Sequence, residues 1–339
     1  MPRRPRTGPQ ICVYHPTIGP RLRARLAARH PDLPVELVTD VNTDPPHADD
    51  IEVLVANTVP AGLLGRCRRL RWLHLTGTGT DHVPAGAPSP TLQVSSSARV
   101  PAVAVAEFAW MGLLALAKDA VRLVDQHQQR QWRLPDALLV AGSRMLLVGL
   151  GRIGTEIAAR APVFGVSVTA VTRTPRSCPG TDRVLPVQQI AEAAKDADHL
   201  VLAMPHTPQT RHLVDGTVLD RLPAHASVVN VGRAQVLDTA GLISRLRAGR
   251  LRAALLDVHD SEPVTPQSEL WSVPNLWITP HGAYRFPQEE QRIADVLLDN
   301  LDDFLAGRPL RDRVAVAGAG STDQARRPAA AALRKVTPW

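Results

Sequence analysis

The string Gly149-Leu150-Gly151-Arg152-Ile153-Gly154 constrains this chain more than any other. It follows the apolar run Met145-Leu146-Leu147-Val148, opens a helical pattern over 152–161, and is followed by a second β-branched run at 166–171. In such a strand–turn–helix–strand unit the first glycine permits a tight turn. The second lets the backbone approach a pyrophosphate, and the third lets helix and strand pack closely. Free N–H groups at the helix start then face the phosphates. The unit predicts a parallel sheet with crossover helices, and it sets Gly149, Gly151, Arg152, Ile153 and Gly154 against a dinucleotide.

The rest of the chain repeats the alternation of short apolar runs and helical patterns. Runs at 11–14, 35–38, 53–56 and 72–75 are separated by helical patterns at 21–29 and 63–70. After the glycine string come runs at 199–203, 227–230, 253–257 and 276–279, and a last amphipathic pattern covers 287–305. Alternation of this kind marks parallel strands joined by helices, so two α/β units are expected. The 339 residues, 44% of them apolar, suffice for two cores.

The formal charge of +7 would suggest a nucleic-acid partner if it lay on the folded body. It lies at the ends instead. Residues 1–10 carry three arginines and no acid, and 311–339 carry six bases against two acids, which leaves 11–310 balanced. No nucleic acid is expected, and the tail 315–339, rich in Ala, Gly, Pro and Arg, is expected to be disordered. Cys12, Cys67 and Cys178 match no metal spacing and no disulfide framework, so no metal is expected and a reducing cytoplasm fits best. Residues 100–117 mimic a membrane span with Glu107 as the only charge, but the stretch is short and a central acid is costly there. It reads as a helix buried on all sides in protein, and no membrane partner is expected.

The strand after the glycine helix ends Val171-Thr172-Arg173-Thr174-Pro175-Arg176, with Thr172 eighteen residues past Gly154. An acid there would hold the ribose of NAD and repel a 2′-phosphate. A hydroxyl followed by Arg173 and Arg176 suits a 2′-phosphate, so the sequence leans to NADP with NAD as the other option. The alternative is that both guanidiniums stack on adenine or sit in solvent.

Three strings follow at strand ends: Asn230-Val231-Gly232-Arg233-Ala234, then Asp257-Val258-His259-Asp260-Ser261-Glu262-Pro263, then Thr279-Pro280-His281-Gly282-Ala283. In this order they resemble the D-2-hydroxyacid dehydrogenase family, which has an Arg in N-x-(A/G)-R-G, a Glu in D-V-x-x-x-E-P and a His in P-H. The likeness runs from about Leu73 to Pro309. It implies two Rossmann-like domains: a dinucleotide-binding doubly wound parallel sheet over 100–283, and a smaller flavodoxin-like substrate domain over 1–99, to which 284–314 return.

By position, the resemblance makes Arg233, Glu262 and His281 the catalytic residues, and the chemistry of each supports the role. A histidine delivers a proton near neutral pH, a carboxylate orients it and favours its charged form, and a planar guanidinium grips the substrate carboxylate. The resemblance adds Met204, Pro205, Val231, Gly232 and Asp257 to the expected cofactor contacts. It also assigns Thr78 and Gly79 to the substrate carboxylate, with Asp81 and His82 shaping that loop. Ser95 to Arg99 stand where the family often has an Asn. The family has Gly after the Arg, and here Ala234 follows; a position needing positive φ would make that cost about 1 kcal/mol. The resemblance further implies a homodimer through the cofactor domain, with the helix at 100–117 in the interface.

The function expected is hydride transfer between NAD(P)H and a 2-keto or D-2-hydroxy acid, with a substrate of the glyoxylate or hydroxypyruvate kind. The alternatives are a dehydrogenase for phosphite or another small acid, and a nucleotide-sensing protein of the corepressor kind. Glu262 argues against formate, because formate dehydrogenases of this superfamily pair the His with Gln.

Overall fold

The computed structural model describes residues 8–80, 83–84 and 91–314. Asp81, His82 and the tail expected to be disordered lie outside the described residues. The chain opens with β1 (Ile11–Tyr14), α1 (Gly19–Arg29), β2 (Val35–Val38), β3 (Val53–Ala56), α2 (Leu63–Arg66), β4 (Trp72–Leu75) and β5 (Gln93–Ser96). These strands are all parallel, in the order β2-β1-β3-β4-β5. Every residue of β1, β3 and β4 is buried, as expected where helices cover both faces of a parallel sheet. The order is the flavodoxin-like one, and chain direction reverses between β1 and β3.

Two helices link the sheets, α3 (Ala102–Ala117) and α4 (Ala120–Gln128). The second unit then runs β6 (Arg144–Val148), α5 (Arg152–Arg160), β7 (Ser167–Thr172), β8 (Arg183–Pro186), α6 (Ile190–Ala194), β9 (His199–Leu202), α7 (Gly216–Leu219), β10 (Ser227–Asn230), α8 (Thr239–Arg247), β11 (Ala253–Leu256) and β12 (Leu276–Ile278). Its seven strands are parallel in the order β12-β11-β10-β9-β6-β7-β8. The chain leaves β6 in one direction and resumes at β9 on its other side, so a crevice opens between the ends of β6 and β9.

Alternate side chains build two cores on this sheet. Leu147, Val201, Val229 and Leu255 pack with α3 and α5 on one face. Leu146, Val148, Leu200, Val228 and Leu256 pack with α6, α7 and α8 on the other. The last helix, α9 (Glu289–Leu305), returns to the first sheet. Its residues Ile293, Val296, Leu297, Leu301 and Phe304 meet Ile11, Val13, Val55 and Trp72. Glu289 and Glu290 in the first turn complement the helix dipole, and Gly307 at φ 66 ends the run.

Two expectations are corrected. The helical pattern at 63–70 gives a helix only over Leu63–Arg66; the chain turns at Cys67, where Leu70 N–H donates to Cys67 O at 3.0 Å, in order to enter β4. The apolar helix at 100–117 begins at Ala102 and buries Trp110 and Leu113, but this chain does not cover it on all sides. Val103 and Met111 stay exposed, as do Val121, Leu123 and Val124 of α4. Among the described residues, no helix is long and apolar enough to cross a membrane.

Candidate active site

The strongest local constraint lies where β11 and β12 end. Asp257, the residue after β11, is only 1% exposed. Its Oδ1 accepts from Thr279 Oγ1 at 2.7 Å and from Gly282 N–H at 2.9 Å, and its Oδ2 accepts from Ala283 N–H at 3.0 Å. A buried carboxylate is tolerated when its lone pairs are satisfied in this way. The loop 279–283 is thereby closed tightly: His281 N–H donates to Thr279 O at 2.9 Å, and His281 sits at φ 51. That left-handed backbone costs a side-chain-bearing residue roughly 1–2 kcal/mol, and it persists only where surrounding bonds over-determine it.

Held this way, the His281 ring meets Glu262 from the loop after β11. His281 Nδ1 lies 2.8 Å from Glu262 Oε2, and both side chains are partly exposed. The other oxygen, Glu262 Oε1, accepts from His259 N–H at 2.9 Å. Burial pushes the Glu262 carboxyl up, but hydrogen bonds from His281 and from the His259 N–H more than offset it and hold it below its ordinary value of 4.5. The carboxylate form therefore persists at any pH above that lowered value, and the pair is lost only as pH falls through it.

Arg233 follows β10 and is fixed from below by Asn230, which is 1% exposed. Asn230 Oδ1 accepts from Gly232 N–H at 3.0 Å and its Nδ2 donates to Arg233 O at 3.1 Å. The guanidinium donates to Gly232 O at 2.9 Å. Ala234 begins a short 3-10 turn and is not among the residues with positive φ, so its methyl causes no backbone strain.

The crevice between β6 and β9 fits a dinucleotide. Gly149 has φ +99, and a Cβ there would lie 2.7 Å from Met204 Cβ and 2.9 Å from Ala203 O. A Cβ on Gly154 would lie 2.0 Å from Gly149 O, and one on Gly232 would lie 2.7 Å from Met204 O. A Cβ on Gly151 would meet nothing within 4 Å. The first and third glycines of the string are thus required by packing, and the second opens onto free space at the start of α5, where a pyrophosphate would find N–H groups. Met204 and Gly232 come together at this crevice, with Pro205 and Val231 beside them in the chain. Ile153 packs against the core beneath.

Arg152 opens α5 in the glycine string, and its side chain reaches to the C-terminal segment. Its guanidinium pairs with Asp312 of the C-terminal segment, and Asp312 also lies 3.2 Å from Arg99 between the two sheets. Thr172 closes β7 half-buried; Arg173 and Arg176 are exposed, and neither forms an ion pair among the described residues. Thr78 and Gly79 lie in the loop after β4, which starts with Thr76 N–H donating to Ala56 O at 3.0 Å. No hydrogen bond among the described residues links them to the His281 loop.

Residues 110–283 match the family described as D-isomer specific 2-hydroxyacid dehydrogenase, NAD binding domain. The chain belongs to this family. It is 30% identical over 271 residues to glyoxylate/hydroxypyruvate reductase A of Arabidopsis thaliana, covering 78% of this chain and 85% of that protein. It is 28% identical over 273 residues to glyoxylate reductase of Aeropyrum pernix, covering 77% and 81%. A D-isomer specific 2-hydroxyacid dehydrogenase from Xanthobacter autotrophicus, solved in complex with NADPH and MES, superposes with a TM-score of 0.82 at 26% identity, over 91% of this chain and 98% of that one. The protein is thus an NAD(P)-dependent 2-hydroxyacid dehydrogenase, an oxidoreductase, and the relatives do not favour the small-acid or nucleotide-sensing alternatives.

In this dehydrogenase, sequence reasoning passed over His259 and Asp312. His259 falls in the spacer between Asp257 and Glu262, and Asp312 meets Arg152 from 160 residues away. No local spacing announces either contact. Asp257→Asn would replace one acceptor oxygen with an NH2 that faces a backbone N–H. We expect it to lower unfolding free energy by roughly 1–3 kcal/mol, the cost of an unsatisfied buried group, and to reduce turnover with it. Urea unfolding and steady-state rates measure the two effects, and native stability would show that this carboxylate does not hold the loop.

Proposed function

We propose that this dehydrogenase reduces a small 2-keto acid of the glyoxylate or hydroxypyruvate kind with NADPH, using His281 as the proton donor, Glu262 as its partner and Arg233 as the carboxylate anchor. The observation that carries this reading is the 2.8 Å contact between His281 and Glu262 at the edge of the sheet that bears the glycine crevice. The names of the two reductase relatives support the substrate class.

When bound, the nicotinamide supplies the hydride that reduces the keto carbon. The chain's residues do the rest. Arg233 binds the substrate carboxylate through two parallel N–H groups, which fixes the keto carbon and polarises its oxygen. Backbone N–H groups at Thr78 and Gly79 take the carboxylate from the other side. His281 Nδ1 is committed to Glu262, so Nε2 is the atom that gives its proton to the developing alkoxide. Glu262 stabilises the charged imidazole before transfer and keeps the ring from turning away. In the oxidative direction the same nitrogen takes the proton back.

On this reading 100–283 hold the cofactor, and 1–99 with 284–314 hold the substrate. The glycine string, Met204, Pro205, Val231 and Gly232 line the cofactor crevice, and Asp257 acts at its nicotinamide end by fixing the loop around His281. Thr172 admits a 2′-phosphate, for which Arg173 and Arg176, in no ion pair among the described residues, supply positive charge. The exposed apolar residues of α3 and α4, together with Trp132 at 100% and Leu134 at 94% exposure, suit a homodimer interface through the cofactor unit. The three cysteines are all buried and unpaired, which suits the reducing cytoplasm.

The test is NADPH oxidation against a panel of 2-keto acids, with glyoxylate and hydroxypyruvate first. His281→Ala is expected to cut turnover roughly 10²- to 10⁴-fold, the usual weight of positioned proton transfer, with cofactor affinity little changed. A variant with native turnover would remove His281 from the mechanism. For the cofactor, one charge-assisted contact predicts a preference for NADPH over NADH of about ten-fold or more. Arg173→Ala should erase most of that preference by weakening NADPH alone; equal weakening of both cofactors would place the arginine on the adenine. For assembly, light scattering at micromolar concentration should report twice the chain mass of 36.7 kDa. The single-chain mass would contradict the dimer.

A further inference from the structure

Beside the His281–Glu262 pair lies a buried imidazole that the mechanism does not use. His259 lies two residues past Asp257 and is 9% exposed. Its main-chain N–H donates to Glu262 Oε1 at 2.9 Å, and its ring Nε2 lies 2.9 Å from Thr279 O. A carbonyl oxygen only accepts, so Nε2 carries the hydrogen. The same carbonyl accepts His281 N–H at 2.9 Å. The other ring nitrogen, Nδ1, is buried without a hydrogen-bond partner among the described residues. An apolar ring of similar size would fill this place without burying an unpaired nitrogen, so packing alone does not account for a histidine here.

We propose that His259 is a positioning residue for the reduction: its main chain grips Glu262 while its ring grips the carbonyl that holds His281, which sets the separation of the two. The proposal rests on the reading of His281 and Glu262 as proton donor and partner. Those two residues come from the loops after different strands, β11 and β12. Asp257 ties the His281 loop to the end of β11 through Thr279 Oγ1, Gly282 and Ala283, but it makes no hydrogen bond to Glu262. The His259 ring is the side-chain link from the Glu262 loop to Thr279 O, directly beside Pro280 and His281. Without it, among the described residues, the 259–262 segment is tied to the His281 loop only through the Glu262–His281 contact itself. A misplacement of about 1 Å at reacting groups costs about 10²-fold in rate.

Two substitutions separate position from packing. His259→Phe keeps a ring of similar volume and removes the donor, whereas His259→Gln restores an amide N–H of similar reach. Keto-acid reduction by the full chain is measured for both, beside His281→Ala. The expected result is a kcat roughly 10- to 100-fold lower for His259→Phe, with the keto-acid KM and NADPH Kd within about two-fold of native, and recovery of most of the loss in His259→Gln. A native kcat in His259→Phe overturns the proposal, as does a loss that His259→Gln fails to recover or that comes with an equal rise in KM. If His281→Ala also keeps its turnover, the proton-donor reading falls as well; if only His259→Phe is native, the positioning role alone falls. Ring-nitrogen NMR on the native protein gives a check independent of folding in the variants. A hydrogen-bonded proton on His259 Nε2 supports the proposal, and a proton on Nδ1 in its place overturns it.

Discussion

The buried carboxylate of Asp257 is the interaction on which the site depends. It spends both oxygens on three donors of the loop 279–283, and that loop then has one backbone path available to it. His281 pays for this with a left-handed φ of 51, a conformation that a free loop would abandon. The strained backbone turns the imidazole towards Glu262, whose second oxygen is in turn held by the His259 N–H. Each contact alone is worth about 1–3 kcal/mol, but the arrangement is cooperative because every group in it is fixed by a neighbour from another strand end.

The same logic of converging strand ends explains the cofactor crevice. The seven-stranded sheet reverses direction between β6 and β9, so the turns after these strands part and leave space between them. Packing then fills every side of the space but one. Met204 and Ala203 press on Gly149, Met204 O presses on Gly232, and the carbonyl of Gly149 presses on Gly154. Of Gly149, Gly151, Gly154 and Gly232, Gly151 alone faces open volume. A small residue is forced on three sides by protein and on the fourth by whatever ligand approaches the helix start. The ion pair of Arg152 with Asp312 adds a link from this loop to the segment that also meets Arg99, so charge joins the glycine loop to the chain just after β5.

Much of this was legible in the residues, and the rest was hidden for identifiable reasons. The glycine loop was legible because its demands are local: strand, turn and helix are contiguous, and each glycine answers to a contact within the same unit or its neighbour. Glu262 and His281 were expected together because the resemblance to the family names both strings, and the structure brings their side chains within 2.8 Å of each other. Ala234 could be judged only from the backbone, since the cost of its methyl depends on a φ that composition does not reveal. The short helix at 63–66 was over-read because leucines at helical spacing also suit a turn that must enter β4 at residue 72. The four-residue edge strand β8 is too short to show a period, and the apolar residues of α4 stay exposed instead of marking a core face. His259 and Asp312 were hidden because their partners lie on other strands, and contact across a fold leaves no mark in local spacing.

The central claim is that a carboxylate-held imidazole gives the proton to the reduced keto acid. The direct test is the pH dependence of kcat/KM for keto-acid reduction in the native enzyme and in Glu262→Gln, which keeps the hydrogen-bonding shape and removes the charge. Glu262 is held below its ordinary value of 4.5, so the native enzyme should lose activity as pH falls through that lowered value and the pair is broken, whereas the variant has no carboxyl to protonate and should run at a lower level without that acid limb. Coincident profiles for the two proteins would contradict the account.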